Sequence, residues 1–145
     1  MVNKNFSIKI DTTEVKKGLT NLTEKLVAIE LERLKTATSY LESEAIKEAP
    51  SDSGELRASM VSKVEKQPGK LVGIVGNTAE YAPYVHQGTG KYAKNGKGRK
   101  TPWKVVTMYK GKKVVFVTRG QKSNPFLTRA KEKNMENIKK ILGVK

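Results

Sequence analysis

Apolar positions along this chain change period several times, and each change marks an element. Phe6-Ser-Ile-Lys-Ile10 alternates apolar and polar residues with period two, which predicts a short strand. Asp11, Thr12 and Thr13 follow as candidate helix caps, and Glu14 suits a first turn. From there the spacing lengthens to three and four residues. Leu19, Leu22, Leu26 and Ile29 form one stripe, and Leu34, Ala37, Leu41 and Ala45 form another. The two are offset between Ile29 and Leu34 on one long amphipathic helix, with Gly18 a candidate break near its start. Unbroken to Glu48 it would run roughly 50 Å, more than a compact domain of this size needs. Either the helix packs along one sheet, or part of it overhangs and packs on a neighbouring subunit.

Ala49-Pro50 stops the helix, and Ser51-Asp-Ser-Gly54 is a turn cluster. Glu55 to Met60 fits either a helical turn or the start of a strand. Ser59–Lys66 then alternates apart from Met60, Gln67-Pro-Gly-Lys70 reverses the chain, and Leu71–Gly76 returns as the second arm of a hairpin. Trp103–Met108 and Lys113–Thr118, parted by Tyr109-Lys-Gly-Lys112, predict a second hairpin. Pro125 opens a last helix, with Leu127, Ala130, Met135, Ile138 and Leu142 on its apolar face. The order predicts an α+β fold in one domain, 1–145. Its mostly antiparallel sheet would carry the long amino-terminal helix and the carboxy-terminal helix.

Between the hairpins lies the densest run of conformational signals, Tyr81-Ala-Pro-Tyr-Val-His-Gln-Gly-Thr-Gly90. Pro83 biases Ala82 towards extended or turn geometry, and Gly88 and Gly90 permit a sharp reversal on either side of Thr89. Tyr81, Tyr84 and Val85 offer apolar bodies to anchor such a corner. After it, Lys91–Lys100 has no apolar periodicity and predicts a mobile basic loop over about 91–101.

Charge sharpens this picture. The 145 residues carry a formal net charge of +15, yet no Asp or Glu occurs from Tyr81 to Lys131. That half therefore attracts nucleic acid, an anionic membrane or an acidic protein surface. No cysteine is present, so disulfides, thiolate metal sites and cysteine nucleophiles are excluded. Met1–Asn5 lacks a signal-peptide core and no apolar run approaches membrane-spanning length, which predicts a soluble protein without a membrane partner.

Catalytic patterns fail one by one. His86 is the single histidine, and no Gly-x-Ser-x-Gly elbow accompanies it. Gly90 and Gly96 are separated by five residues, where a phosphate-binding loop needs four, and Gly98 replaces the magnesium-binding Ser or Thr. Asp52, Glu55 and Glu65 sit in or near turns, where solvated acids are ordinary. The expectation is a non-enzyme with no cofactor and no metal. Lys94, Lys97, Arg99, Lys100 and Lys104 surround Tyr92 and Trp103 and could contact DNA phosphates or an acidic partner. A solvated loop explains the same residues.

Three segments stand in a recognisable order: Ala49-Pro50-x-x-x-Gly54-x-Leu56-Arg57-x-Ser59, Tyr81-Ala82-x-Tyr84-Val85-x-x-Gly88-Thr89-Gly90, and Pro125-Phe126-Leu127-x-x-Ala130. Together they resemble the tailed-bacteriophage family of neck or tail-component proteins that join head to tail in long-tailed phages. The middle segment is the most specific. Members of that family often carry an acid before the Gly-Thr, where this chain has His86-Gln87. The resemblance implies a structural virion protein, assembled in the host bacterial cytoplasm as a homo-oligomeric ring between the head connector and the tail. Its implied neighbours are head-closure and tail-terminator proteins, with non-specific contact to passing DNA. The alternative is a basic DNA-binding protein that uses loop 91–104.

Overall fold

In the computed structural model, residues 13–51 and 54–144 are described, and side chains from residue 20 onward. The predicted strand at Phe6–Ile10 lies outside the described residues. Helix α1 spans Thr13–Glu48 and continues through Gly18. At 36 residues it is about 54 Å long. The short helix α2 (Glu55–Ala58) leads into strands β1 (Met60–Gln67) and β2 (Lys70–Asn77). Helix α3 (Ala82–Gln87), a single 3-10 turn (Gly90–Tyr92), strands β3 (Trp103–Tyr109) and β4 (Lys112–Thr118), and helix α4 (Phe126–Leu142) complete the order.

The α+β class and the antiparallel pairing agree with the sequence, and the described strands divide into two separate hairpins. In the first, Met60 pairs with Asn77 and Gln67 with Lys70. Its turn has Pro68 at the first central position and Gly69 at φ 72° at the second, the chemistry of a type II turn. In the second, Trp103 pairs with Thr118 and Tyr109 with Lys112. Lys110 and Gly111 both take positive φ there, as a two-residue hairpin turn requires.

Among the described side chains of α1, the buried ones all lie in its carboxy-terminal half. That half lies across β1 and β2 on one side and meets α4 on the other. The approach to β2 is close at Gly73, where a Cβ atom would stand 2.3 Å from Thr38 Oγ1. Thr38 is buried, and its hydroxyl donates to Leu34 O at 2.6 Å, so no polar atom is stranded there. Along α4, Tyr40 Oη donates to Asn134 Oδ1 (2.8 Å), and Asn137 Nδ2 donates back to Tyr40 Oη (3.0 Å). The carboxy-terminal helix thus packs mainly on α1 rather than on a sheet.

The core is small and built from small residues. Ala45, Ala49, Leu56, Met60, Ala82, Val85, Phe126 and Ala130 form one buried cluster, with Leu41, Val75, Tyr81 and Leu127 packed around it. Phe126 is its one large side chain at 0% exposure among the described residues.

Candidate interaction surfaces and the corner that holds them

The three sequence segments meet in that cluster. Ala49 and Leu56 come from the first, Ala82 and Val85 from the second, and Phe126 and Ala130 from the third. Polar contacts lock the same junction. Arg57 Nε donates to Ala49 O at 2.9 Å, satisfying a carbonyl at the end of α1. Asn77 Nδ2 donates to Leu56 O, and Asn77 Oδ1 accepts from Ala79 N at 2.9 Å. Pro50 ends the helix, and Gly54 enters α2 at φ 74°.

The corner departs from its expected geometry in two places. Ala82 opens a helix instead of an extended turn, because Pro83 falls in the first helical turn, where its missing N–H costs nothing. Within that helix, Ala82 and Val85 share the buried face with Tyr81 beside them, while Tyr84 points away and is exposed. Tyr84 therefore does not anchor the corner.

After α3 the backbone doubles back against the segment that follows β4. Thr89 N donates to Gln121 O (2.9 Å), Lys91 N to Arg119 O (3.0 Å), and Asn124 N to Val85 O (2.9 Å). Thr89 Oγ1 accepts from Gln121 N at 2.9 Å. Gly88 sits at φ +79°, and a Cβ there would lie 2.7 Å from Tyr92 O, 2.8 Å from Ser123 N and 2.9 Å from Gln121 O. Gly90 is equally confined, between Arg119 O and the Trp103 ring.

His86 is fixed by this junction. Its ring meets Phe126, its carbonyl accepts from Ser123 Oγ (2.9 Å), and its Nε2 lies 3.3 Å from Thr128 Oγ1. Burial, and then the nearby Lys94 charge, push its pKa below the ordinary value. Among the described residues, no His, Cys, Asp and Glu cluster could hold a metal ion.

The predicted basic contacts fall on one stretch with differing roles. Lys94, Lys97, Lys100 and Lys104 are exposed. Arg99 lies 5.7 Å from the Trp103 ring centroid, and its Nε donates to Thr101 Oγ1 at 3.1 Å. Trp103 is half-buried against Gly90, so its ring props the corner rather than standing free to stack on bases. Gly98 folds back onto Gly90, with 1.9 Å between a notional Cβ and Gly90 O.

Two apolar surfaces are exposed: the overhang of α1, which the offset stripes offer as a subunit contact, and the β3–β4 hairpin, which was not singled out as one. On α1, residues 20–30 are exposed all round, with Leu22 and Leu26 at 54% and Ile29 at 49%. On the β3–β4 hairpin, Val106, Met108, Val115 and Val117 are between 56% and 66% exposed. The hairpin packs on no other strand or helix as it does on itself. Its signal was in the sequence, since both faces of these strands are apolar where a surface hairpin should alternate.

With this geometry in view, the family assignment is direct. A family model described as "Bacteriophage HK97-gp10, putative tail-component" matches residues 13–88. The chain belongs to this family. The match begins at the first residue of α1 and ends at Gly88, so it takes in the first sequence segment and the second up to Gly88. Pro125–Ala130 lies outside the match, although Phe126 and Ala130 complete the same core. No curated protein and no solved structure matches the chain significantly. The HK97-gp10-like family carries a structural role in the phage tail, and no helix among the described residues is long and apolar enough to cross a membrane.

Proposed function

We propose that this HK97-gp10-like chain is a non-enzymatic component of the head–tail joining region, assembling as a ring between the head connector and the tail. The observation that carries the reading is the free half of α1. A helix whose second half builds the core extends a further apolar stripe, Leu22, Leu26 and Ile29, into solvent. Such a stripe costs solubility unless a partner covers it. A ring supplies that partner, because each subunit offers one surface and receives another. Head-closure and tail-terminator proteins would lie above and below, and the protein would act in the virion after assembly in the host cytoplasm.

The exposed lysines at 94, 97, 100 and 104 favour one other reading, a DNA-binding protein that uses loop 91–104. In the ring they would face passing DNA or an acidic neighbour without reading bases. Complementation separates the two. Purified protein added to a lysate that makes heads and tails but lacks this protein is expected to restore joined particles. Failure to join them, with submicromolar duplex binding at physiological salt, would overturn the neck assignment.

A further inference from the structure

Residues 20–30 of α1 and the β3–β4 hairpin each leave an apolar surface exposed among the described residues. We infer that the β3–β4 hairpin of one subunit docks on the free half of α1 of the next. The inference rests on the ring reading and gives it a specific contact.

The hairpin needs a partner for physical reasons. An isolated two-stranded hairpin is marginal in water and requires a further strand or a helix against an apolar face. Residues paired across the ladder share a face, so Val106 with Val115 and Lys104 with Val117 stand together. Met108 and Lys113 complete that face. It is an apolar centre with a lysine towards each end. A helix laid on it would supply the missing layer.

The free half of α1 is such a helix. At about 100° per residue, Leu22, Leu26 and Ile29 lie roughly a quarter turn away from the core stripe of Leu34, Ala37, Leu41 and Ala45. The offset between the stripes is therefore a division of labour: the second covers this subunit's core, and the first covers something else. The lengths agree as well. Seven-residue strands extend about 23 Å, and residues 20–31 of the helix extend about 18 Å.

Charge decides between this partner and a second hairpin. Residues 103–118 carry Lys104, Lys110, Lys112 and Lys113 and no acid, and two hairpins apposed on this face would bring together four lysines, Lys104 and Lys113 of each. Residues 20–33 carry Glu24, Glu30 and Glu32 against Lys25 and Arg33, a small acidic excess. Glu30 and Glu32 pair with Arg33 and Lys35 on their own helix at 3.6 Å and 2.9 Å. Both pairs are exposed and weak, so hairpin lysines could compete for the same carboxylates. Leu26 and Glu30 also line a groove with Val27, Leu71, Lys66 and Lys70, so the hairpin would meet the stripe from its Leu22 and Ile29 side.

The absence of native cysteine makes the test clean. Met108→Cys and Leu26→Cys are purified separately, both at exposed positions where substitution leaves the core intact. Oligomer mass is measured by light scattering under reducing conditions and in assembled particles. Samples are then oxidised, or treated with a short bismaleimide, alone and mixed. The expected result is a covalent dimer in the mixture and almost none in either variant alone, while the double variant forms a ladder. Self-linking of Met108→Cys would overturn the contact in favour of hairpin pairing. Oligomers without the mixed crosslink would overturn the contact and leave the ring standing. Absence of oligomers at any concentration and in particles would overturn both.

Discussion

His86 meets Phe126 edge to face, with ring centroids 5.6 Å apart and planes at 78°. One residue lies in α3 and the other opens α4, so this contact ties the corner to the last helix. Burial, then the Lys94 charge, lower the histidine pKa from its ordinary 6.5. The folded state therefore holds this proton less tightly than the unfolded chain. Its contribution to stability is whole above 6.5 and is lost as pH falls through the lowered folded value. Thermal denaturation of the wild type should show a loss between neutral and mildly acidic pH that His86→Gln lacks. Equal slopes for both proteins would remove His86 from the account.

Glu48 adds a second acid-sensitive contact at the other end of the same junction. Its carboxylate accepts from Lys133 Nζ at 2.6 Å and from Arg129 Nε, and those hydrogen bonds hold its pKa below the ordinary 4.5. Arg129 also donates to Glu48 O and Asn124 Oδ1, clamping the end of α1 to the start of α4. The stabilisation is present above 4.5 and disappears as pH falls through the depressed folded value. Glu48→Gln is expected to lower the midpoint at neutral pH and to flatten the acid limb below the histidine step. An unchanged acid limb would show that the clamp adds nothing.

Two glycines with positive φ, Gly54 in the left-handed helical region (ψ −15°) and Gly88 in a region that suits glycine alone (ψ 169°), should respond very differently to alanine. Gly54 has φ +74° with nothing among the described residues within 4 Å of a notional Cβ, so Gly54→Ala meets mainly backbone strain, about 1–2 kcal/mol. Gly88 has φ +79° and three backbone atoms inside 3.0 Å. Gly88→Ala must move those segments and should cost clearly more, with Gly88→Val worse again. Urea denaturation of the three variants measures this. A Gly88→Ala cost no larger than that of Gly54→Ala would mean the crossing is loosely packed.

These contrasts mark what was legible in the sequence. Both hairpins, their turns and α4 followed from periodicity and from Pro68, Gly69 and Gly111. The offset stripes of α1 announced the free half of the helix. The core was harder to read because Ala45, Ala49, Ala82 and Ala130 carry little pattern of their own, and only their convergence on Phe126 makes them core. Helix α3 was hidden by the rule that disfavours helix before proline, which a first-turn proline evades. The separation of the two hairpins into two sheets was hidden for another reason. Strands apolar on both faces read as sheet interior, although β3 and β4 stand outside the body.

The exposed lysines provide the last test, because the two functional readings ask different things of them. If DNA is the ligand, Lys94, Lys97, Lys100 and Lys104 contact phosphates, and each contact releases bound counterions. The logarithm of duplex affinity should then fall linearly with the logarithm of salt, and each Lys→Gln change should reduce the slope by about one unit. All four side chains are exposed, so the substitutions should leave the thermal midpoint nearly unchanged. In a ring component the same quadruple variant should bind duplex weakly before and after substitution at physiological salt. Its assembly should still depend on Leu22, Leu26 and Ile29, whose replacement by serine is expected to abolish joining while sparing the isolated fold. Loss of joining in the lysine variant with full activity in the serine variant would reverse the assignment of the two surfaces.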